Sequence, residues 1–365
     1  MSNILFYSPV CLEPWDHSTP WISGIGGSET SHIELSSILS KRHHNVVSYN
    51  NCTFPDRERI IVPSDGVSWC ELEDESKNIH NKTNYFIYRD PTFFDRDDLA
   101  GMGNQYFFIA QDVDYDWNPS RLSKVDKYIT LCDTHAKYTL RKYPQLKNRL
   151  YISSNGIRST YIKELYQFQP QVRNPKRLMY ASSPDRGLLL ILQEWFRIRE
   201  KVPEAELHIF YGFNNADEIV RRVNGNSHLP VLKEEILSLC KQEGVFFHGR
   251  INQRQLYMEW MKSGIFLYPS DWPETSCISI MEAQACGAIP ITNKYWAQGE
   301  NCLNGILIDG VPQSDVLCKH RMIRYTIDLL LDEKYQESLR PKCIEDALDT
   351  FDWEKVATQM EGWLL

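Results

Sequence analysis

Short apolar runs with strand character alternate along this chain with longer stretches whose apolar residues recur every three or four positions. NILFYSP (3–9) predicts a first strand and GIGGSE (24–29) a turn. TSHIELSSILSKR (30–42) follows with helical spacing at Ile33, Leu35, Ile38 and Leu39. NVVSYN (45–50), YFIYR (85–89), YFFIAQD (106–112) and KYITL (127–131) predict further strands, and CDTHAKYTLRKY (132–143) a helix. The pattern breaks at LYISSNGI (150–157) and the polar QFQPQVRNPK (167–176), then restarts.

In the second half KRLMYAS, ELHIFYG, VFFHG, IFLYPS and AIPIT predict strands. GLLLILQEWFRIREKV, VLKEEILSLCKQEG, NQRQLYMEWMKSG and residues 276–286 predict the helices between them. Strand–helix alternation of this kind implies parallel sheets wrapped by helices. The chain therefore reads as two α/β halves joined near 155–175.

Length agrees with two halves, since 365 residues exceed one comfortable core. Apolar content of 42% with 24% charged residues is globular. A formal net charge of −8 argues against nucleic acid as a partner, because the phosphate backbone rewards a basic surface. Ten cysteines without CxxC pairs read as reduced thiols in a cytoplasmic protein. MSNILFYSPV lacks the form of a signal peptide, and no apolar run nears the roughly 20 residues of a membrane span, although peripheral membrane contact stays open. The sequons at Asn51 and Asn81 then read as chance matches.

Two places suit an anion. Gly24, Gly26 and Gly27 lie between the first strand and first helix, where glycines let backbone N–H groups approach a phosphate; a tight turn feeding a helix is the other reading. Glu29 stands where a dinucleotide fingerprint needs its last glycine, GMGNQY (101–106) fails likewise, and there is no P-loop. The second place is PETSCISIMEAQACG (273–287). Thr275, Ser276 and Cys277 are small enough to leave their amides open to a diphosphate, and Gly287 sits where a helix C-cap belongs. Glu274 and Glu282 stand eight positions apart, Glu282 about two turns in, a rise of roughly 10–12 Å. That reach suits two groups on one extended ligand, and carboxylates are good acceptors for vicinal hydroxyls. Ordinary charge pairing and helix capping are the structural alternative.

PETSCISIMEAQACGAIPIT resembles the E-x7-E segment of retaining family-4 glycosyltransferases, with Glu274 and Glu282 as its glutamates. The likeness is dense from 177 to 310, includes ISSNGI and GGSETSHIELSSILSKRHHNVVSYN, and is loose from 50 to 150. The resemblance implies the GT-B architecture, two Rossmann-like domains facing across a cleft. Residues 1–157 would bind the acceptor and 158–350 the nucleotide sugar, with a last helix at 351–365 bracing the first domain. It implies transfer of a sugar, with retention, from a nucleoside-diphosphate sugar to a glycan, lipid-linked or small-molecule acceptor, with no cofactor and no metal. Glu282 would bind the ribose and Glu274 the donor sugar. Thr275, Ser276 and Cys277 would meet phosphate through their amides, Arg186 would neutralise the leaving diphosphate, and Gly26 and Gly27 would face it.

The chain departs from the family pattern in three places. Ala181 replaces the first of two paired cations, with Arg250 as candidate substitute; Thr275 and Cys277 replace glycines; and no His-Asp pair is evident, Gln111 and Asp112 standing where one is sought. His17 and His135 are weaker acceptor candidates, and each also reads as an ordinary surface or helix histidine. Asp112 and Asp114 form a DxD that reads as a solvated loop. Aromatic residues at 15–21 and 115–117 suit either sugar stacking or packing. A phosphorylase, a nucleotide-sugar epimerase and a non-catalytic carbohydrate-binding subunit remain rivals, with a dehydrogenase weakest. Donor base, donor sugar, acceptor and oligomeric state are not written in single residues.

Overall fold

A computed structural model describes residues 1–51, 66–72, 82–97, 103–223 and 227–364. Asn81 and the start of GMGNQY lie outside them. Thirteen described strands form two sheets. The first contains β1 (Asn3–Ser8), β2 (Asn45–Asn50), β3 (Ser68–Glu71), β4 (Thr83–Tyr88), β5 (Gln105–Ile109), β6 (Lys127–Thr130) and β7 (Leu150–Ile152). Its order is β3-β2-β1-β4-β5-β6-β7. The second contains β8 (Asn174–Tyr180), β9 (Glu206–Ile209), β10 (Val245–Phe247), β11 (Ser263–Tyr268), β12 (Ile289–Asn293) and β13 (Ile306–Ile308), ordered β10-β9-β8-β11-β12-β13.

Every neighbouring pair is parallel. The second sheet thus has the 3-2-1-4-5-6 order of a Rossmann-like domain, and the first has it with one strand added. In such sheets the strand order reverses between the first and fourth strands, and ligands bind beyond the carboxyl ends there. The reversal points are β1/β4 and β8/β11.

Contacts divide the chain into one unit of residues 1–20, 25–156 and 353–365 and another of 21–24 and 157–352. In the first unit, the Trp353–Glu361 helix packs on the Gly27–Lys41 helix, and Arg42 bonds Glu354 and Glu361 at 2.6 and 2.8 Å. Central strands hold continuous apolar runs because both faces are covered: all six residues of β11 are buried.

Three differences from the sequence reading have plain causes. Residues 159–168, expected in the joining segment, form a helix whose Ile162 and Leu165 are buried one turn apart. β3, β7 and β13 are three or four residues long and only partly buried, so no extended apolar run marks them. The helix expected at 276–286 runs Ile278–Ala285. Its end carries the expected glycine: Gly287 has φ +82°, its N–H reaches Gln284 O at 2.9 Å, and Ala288 N–H reaches Ala283 O at 2.8 Å. This is a Schellman closure.

No disulfide joins the nine described cysteines. No helix among the described residues is long and apolar enough to cross a membrane.

Candidate functional site

The β8/β11 reversal point is built by a turn that only glycine permits. Gly187 has φ +99°, and a Cβ there would lie 2.1 Å from the Pro269 carbonyl oxygen just past β11. The turn before it is held by Tyr180, whose hydroxyl donates to the Ser183 and Arg186 carbonyls at 2.7 and 3.1 Å. Arg186 is thereby presented to the loop after β11. Its Nη1 donates to Glu274 Oε1 at 2.8 Å, and its guanidinium carbon lies 4.9 Å from the Trp272 ring centre.

Glu274 is only 7% exposed, and burying an unpaired carboxylate is costly. Its partners meet that cost: beside Arg186, the Tyr268 hydroxyl donates to the same Oε1 at 2.7 Å. Burial works against the Arg186 charge, but Glu274, together with Tyr268, Asp185 and Tyr211, outweighs it and holds the guanidinium above its ordinary range. The loop itself is clamped. Glu274 N–H meets Trp272 O at 2.9 Å, Ala297 N–H meets Glu274 O at 3.0 Å, and Gln298 Nε2 reaches Trp272 O at 2.7 Å.

Thr275, Ser276 and Cys277 follow in the same buried loop. The Cys277 amide corrects the expectation of an open donor: it already donates to Asn301 Oδ1 at 2.7 Å. A nearby side-chain acceptor supplies what the helix start lacks.

Glu282 lies in a different setting. It is 5% exposed, and Gln253 Nε2 donates to its Oε1 at 2.6 Å. Gln253 opens the Gln253–Lys262 helix, capped by Asn252, whose Oδ1 accepts from Gln255 N–H at 2.9 Å. Burial pushes the Glu282 carboxyl up to about 7, although the Arg158 charge and the Gln253 hydrogen bond pull the other way. The two glutamates therefore serve separate partners rather than one shared proton. Arg250, on the loop after β10, packs by Gly212, where a Cβ would lie 3.8 Å from the Arg250 Cβ. The preceding Tyr211 is within electrostatic range of Arg186.

The first unit's candidates cluster in part. Gly26 caps the Gly27–Lys41 helix, and a Cβ on it would lie 2.6 Å from Glu29 Oε2. The chain's own carboxylate thus folds back over the amide cradle that the glycines were expected to offer to phosphate. Burial raises the Glu29 pKa, opposed by Arg89 at 3.8 Å. Arg89 follows β4 with φ +64° and donates through Nε to Asp112 Oδ2 at 2.6 Å.

Gln111 and Asn155 exchange amide bonds at 3.2 and 3.3 Å. His135 is buried beside the 112–114 loop, not at the surface, and burial pushes it down to about 4, so it is neutral. Asp114 is met by Tyr138 at 2.9 Å and by Lys142. The DxD carboxylates are therefore ion-paired rather than merely solvated. His17 stands elsewhere, 4.0 Å from Asp16 and 5.9 Å ring to ring from Trp69.

Residues 179–342 match the family described as glycosyl transferases group 1. That segment contains the carboxyl end of β8, all of β11 and the loops that follow both. A lipopolysaccharide 1,2-N-acetylglucosaminetransferase of Salmonella typhimurium is 24% identical over 194 residues, covering 51% of this chain and 48% of the relative. The chain thus matches about half the length of that curated relative. Among solved structures, sucrose-phosphate synthase from Thermosynechococcus elongatus superposes with a TM-score of 0.71 at 14% identity, covering 100% of this chain and 98% of the other. WaaG, a glycosyltransferase involved in lipopolysaccharide biosynthesis, gives 0.64 at 14% identity, covering 99% of each chain. At such identities the likeness establishes the fold: two Rossmann-like domains of the GT-B type.

Tyr268, Gln253, Asn301 and Arg89 were not singled out by sequence. The only signal was chemical. A buried tyrosine hydroxyl or glutamine amide needs a partner, and each of these residues supplies one to a carboxylate or a backbone amide.

Proposed function

We propose that the protein is a retaining glycosyltransferase that moves a sugar from a nucleoside-diphosphate sugar to a glycan, lipid-linked or small-molecule acceptor. The observation that carries this reading is the Arg186–Glu274 pair at the carboxyl ends of β8 and β11, inside the segment that matches glycosyl transferases group 1. In this reading Glu282, ionised, accepts the two ribose hydroxyls, and Glu274 accepts hydroxyls of the donor sugar. Arg186 neutralises the diphosphate, with Thr275 and Ser276 in the same loop and Arg250 as the second cation in place of the one missing at Ala181.

The anomeric C–O bond breaks and its electron pair leaves on the diphosphate oxygen. That oxygen takes the proton of the acceptor hydroxyl, which attacks from the same face. Charge grows on phosphate as the bond breaks, so a fixed guanidinium stabilises the transition state more than the ground state. Charge neutralisation by side chains serves this chemistry without a metal. The protein would work in the cytoplasm, a compartment suited to its free thiols.

The test is transfer from UDP-, GDP-, ADP- and dTDP-sugars to a panel of sugar acceptors, with the product's anomeric configuration read by NMR. Product of retained configuration supports the reading. Inverted product, or donor turnover that requires inorganic phosphate, contradicts it.

A further inference from the structure

Glu274 Oε1 is doubly occupied, by Arg186 Nη1 at 2.8 Å and the Tyr268 hydroxyl at 2.7 Å. No protein group among the described residues bonds its other oxygen. A carboxylate only accepts, so the Tyr268 O–H must donate to it. Ser182 Oγ, 3.3 Å from the Tyr268 oxygen, then donates in turn to the phenol. The chain Ser182–Tyr268–Glu274–Arg186 runs across the β8/β11 reversal point. Its tyrosine is the last residue of a fully buried strand, so the hydroxyl cannot swing away.

We propose that Tyr268 is a positioning residue for donor-sugar selection. With Ser182 behind it, Tyr268 closes one oxygen of Glu274 and turns the other toward the hydroxyls of the donor sugar. This rests on the donor reading above. Two features set the role apart from simple core packing. Arg186 alone would leave the carboxylate free to pivot about a single charged contact on a side chain that is itself 30% exposed. The phenol adds a second, fixed direction from the strand end. Burial, with Glu274 alongside, also raises the Tyr268 pKa well above its ordinary value, so it stays a donor at all working pH. The proposal predicts that the hydroxyl matters for the sugar and not for the nucleotide.

The experiment is a pair of affinity measurements on the full chain, by calorimetry. UDP, GDP, ADP and dTDP are each compared with the corresponding glucose conjugate, for wild type, Tyr268→Phe and Ser182→Ala. The expected result is that Tyr268→Phe leaves affinity for the bare nucleotide unchanged and lowers that for the conjugate about tenfold, as fits a lost hydrogen bond to a charged group. Ser182→Ala, which leaves the core ring untouched, should show the same selective loss, about twofold to threefold. Equal loss of both ligands would mark a merely structural residue and overturn the proposal. An unchanged ratio in both variants, or a wild type that binds conjugate no better than nucleotide, also overturns it. A wild type that binds none of the eight ligands overturns the donor reading itself, and this inference with it.

Discussion

The two strand-reversal points each bring an arginine to carboxylates, and they differ in what shares the contact. At β1/β4, Arg89 lies between Glu29 and Asp112, so one positive charge faces two negative ones. At β8/β11, Arg186 hydrogen-bonds one carboxylate, Glu274, with Asp185 within electrostatic range, and the neutral donors of Tyr268 and Ser182 back the pair. The first site shares one cation between two carboxylates, and the second shares one carboxylate between a cation and a neutral donor. The helix starts differ in the same sense. Glu29 bends its own carboxylate over the first, whereas the neutral Asn301 amide engages the second. A shared topology supplies two strand-reversal points, and side chains decide what closes each of them.

The largest effect expected from breaking this contrast is kinetic. Arg186→Ala or Glu274→Ala should cut transfer by about 10²–10³, the range for losing one transition-state-stabilising group. Arg89→Ala should leave the nucleotide response in place and instead lower stability by about 3 kcal/mol, because two partly buried carboxylates lose their cation. Steady-state rates and denaturant midpoints separate the two outcomes. If Arg89→Ala abolished nucleotide binding with stability intact, the contrast would be wrong.

Glu282 sharpens the comparison through pH. Its folded pKa is raised from 4.5 to about 7, so the native state holds the proton more tightly than the unfolded chain. The stability this gives is fully present below pH 4.5 and is lost as pH rises to about 7. The span corresponds to about 3 kcal/mol as an order of magnitude. Glu282→Gln should flatten that part of the ligand-free stability profile. On the proposed donor reading nucleotide affinity needs the ionised carboxylate, and it should rise through about pH 7 in wild type and not in the variant. The smallest effect concerns Asn301→Ala, which strands the Cys277 amide and should cost about 1–2 kcal/mol.

The strands were legible where burial on both faces forces continuous apolar runs, as in NILFYS, RLMY and IFLY. β3 and β13 were not, although at three or four residues they match β9 and β10 in length. The Ser159–Phe168 helix was hidden by polar neighbours, although Ile162 and Leu165 carry its buried stripe. Within the site, the amides at 275–277 and the glycines at 26–27 looked alike in sequence as open cradles. What distinguishes them is contributed from elsewhere in the fold or by a side chain folding back. Asn301 is 24 residues from Cys277, Tyr268 reaches Glu274 from the end of β11, and Glu29 covers Gly26 from one turn inside the helix. Spacing along a chain reports which groups share a helix or loop and not which distant acceptor takes a given amide.

The most direct measurement is thermal stabilisation by UDP-, GDP-, ADP- and dTDP-sugars of the wild type, Glu282→Ala and Glu29→Ala. A donor held at β8/β11 predicts that one nucleotide series, at a hundred times its dissociation constant, adds about 2.7 kcal/mol to the wild type. Glu282→Ala should lose that response and Glu29→Ala keep it. No response in any series, or a response that survives Glu282→Ala and vanishes in Glu29→Ala, would contradict the account.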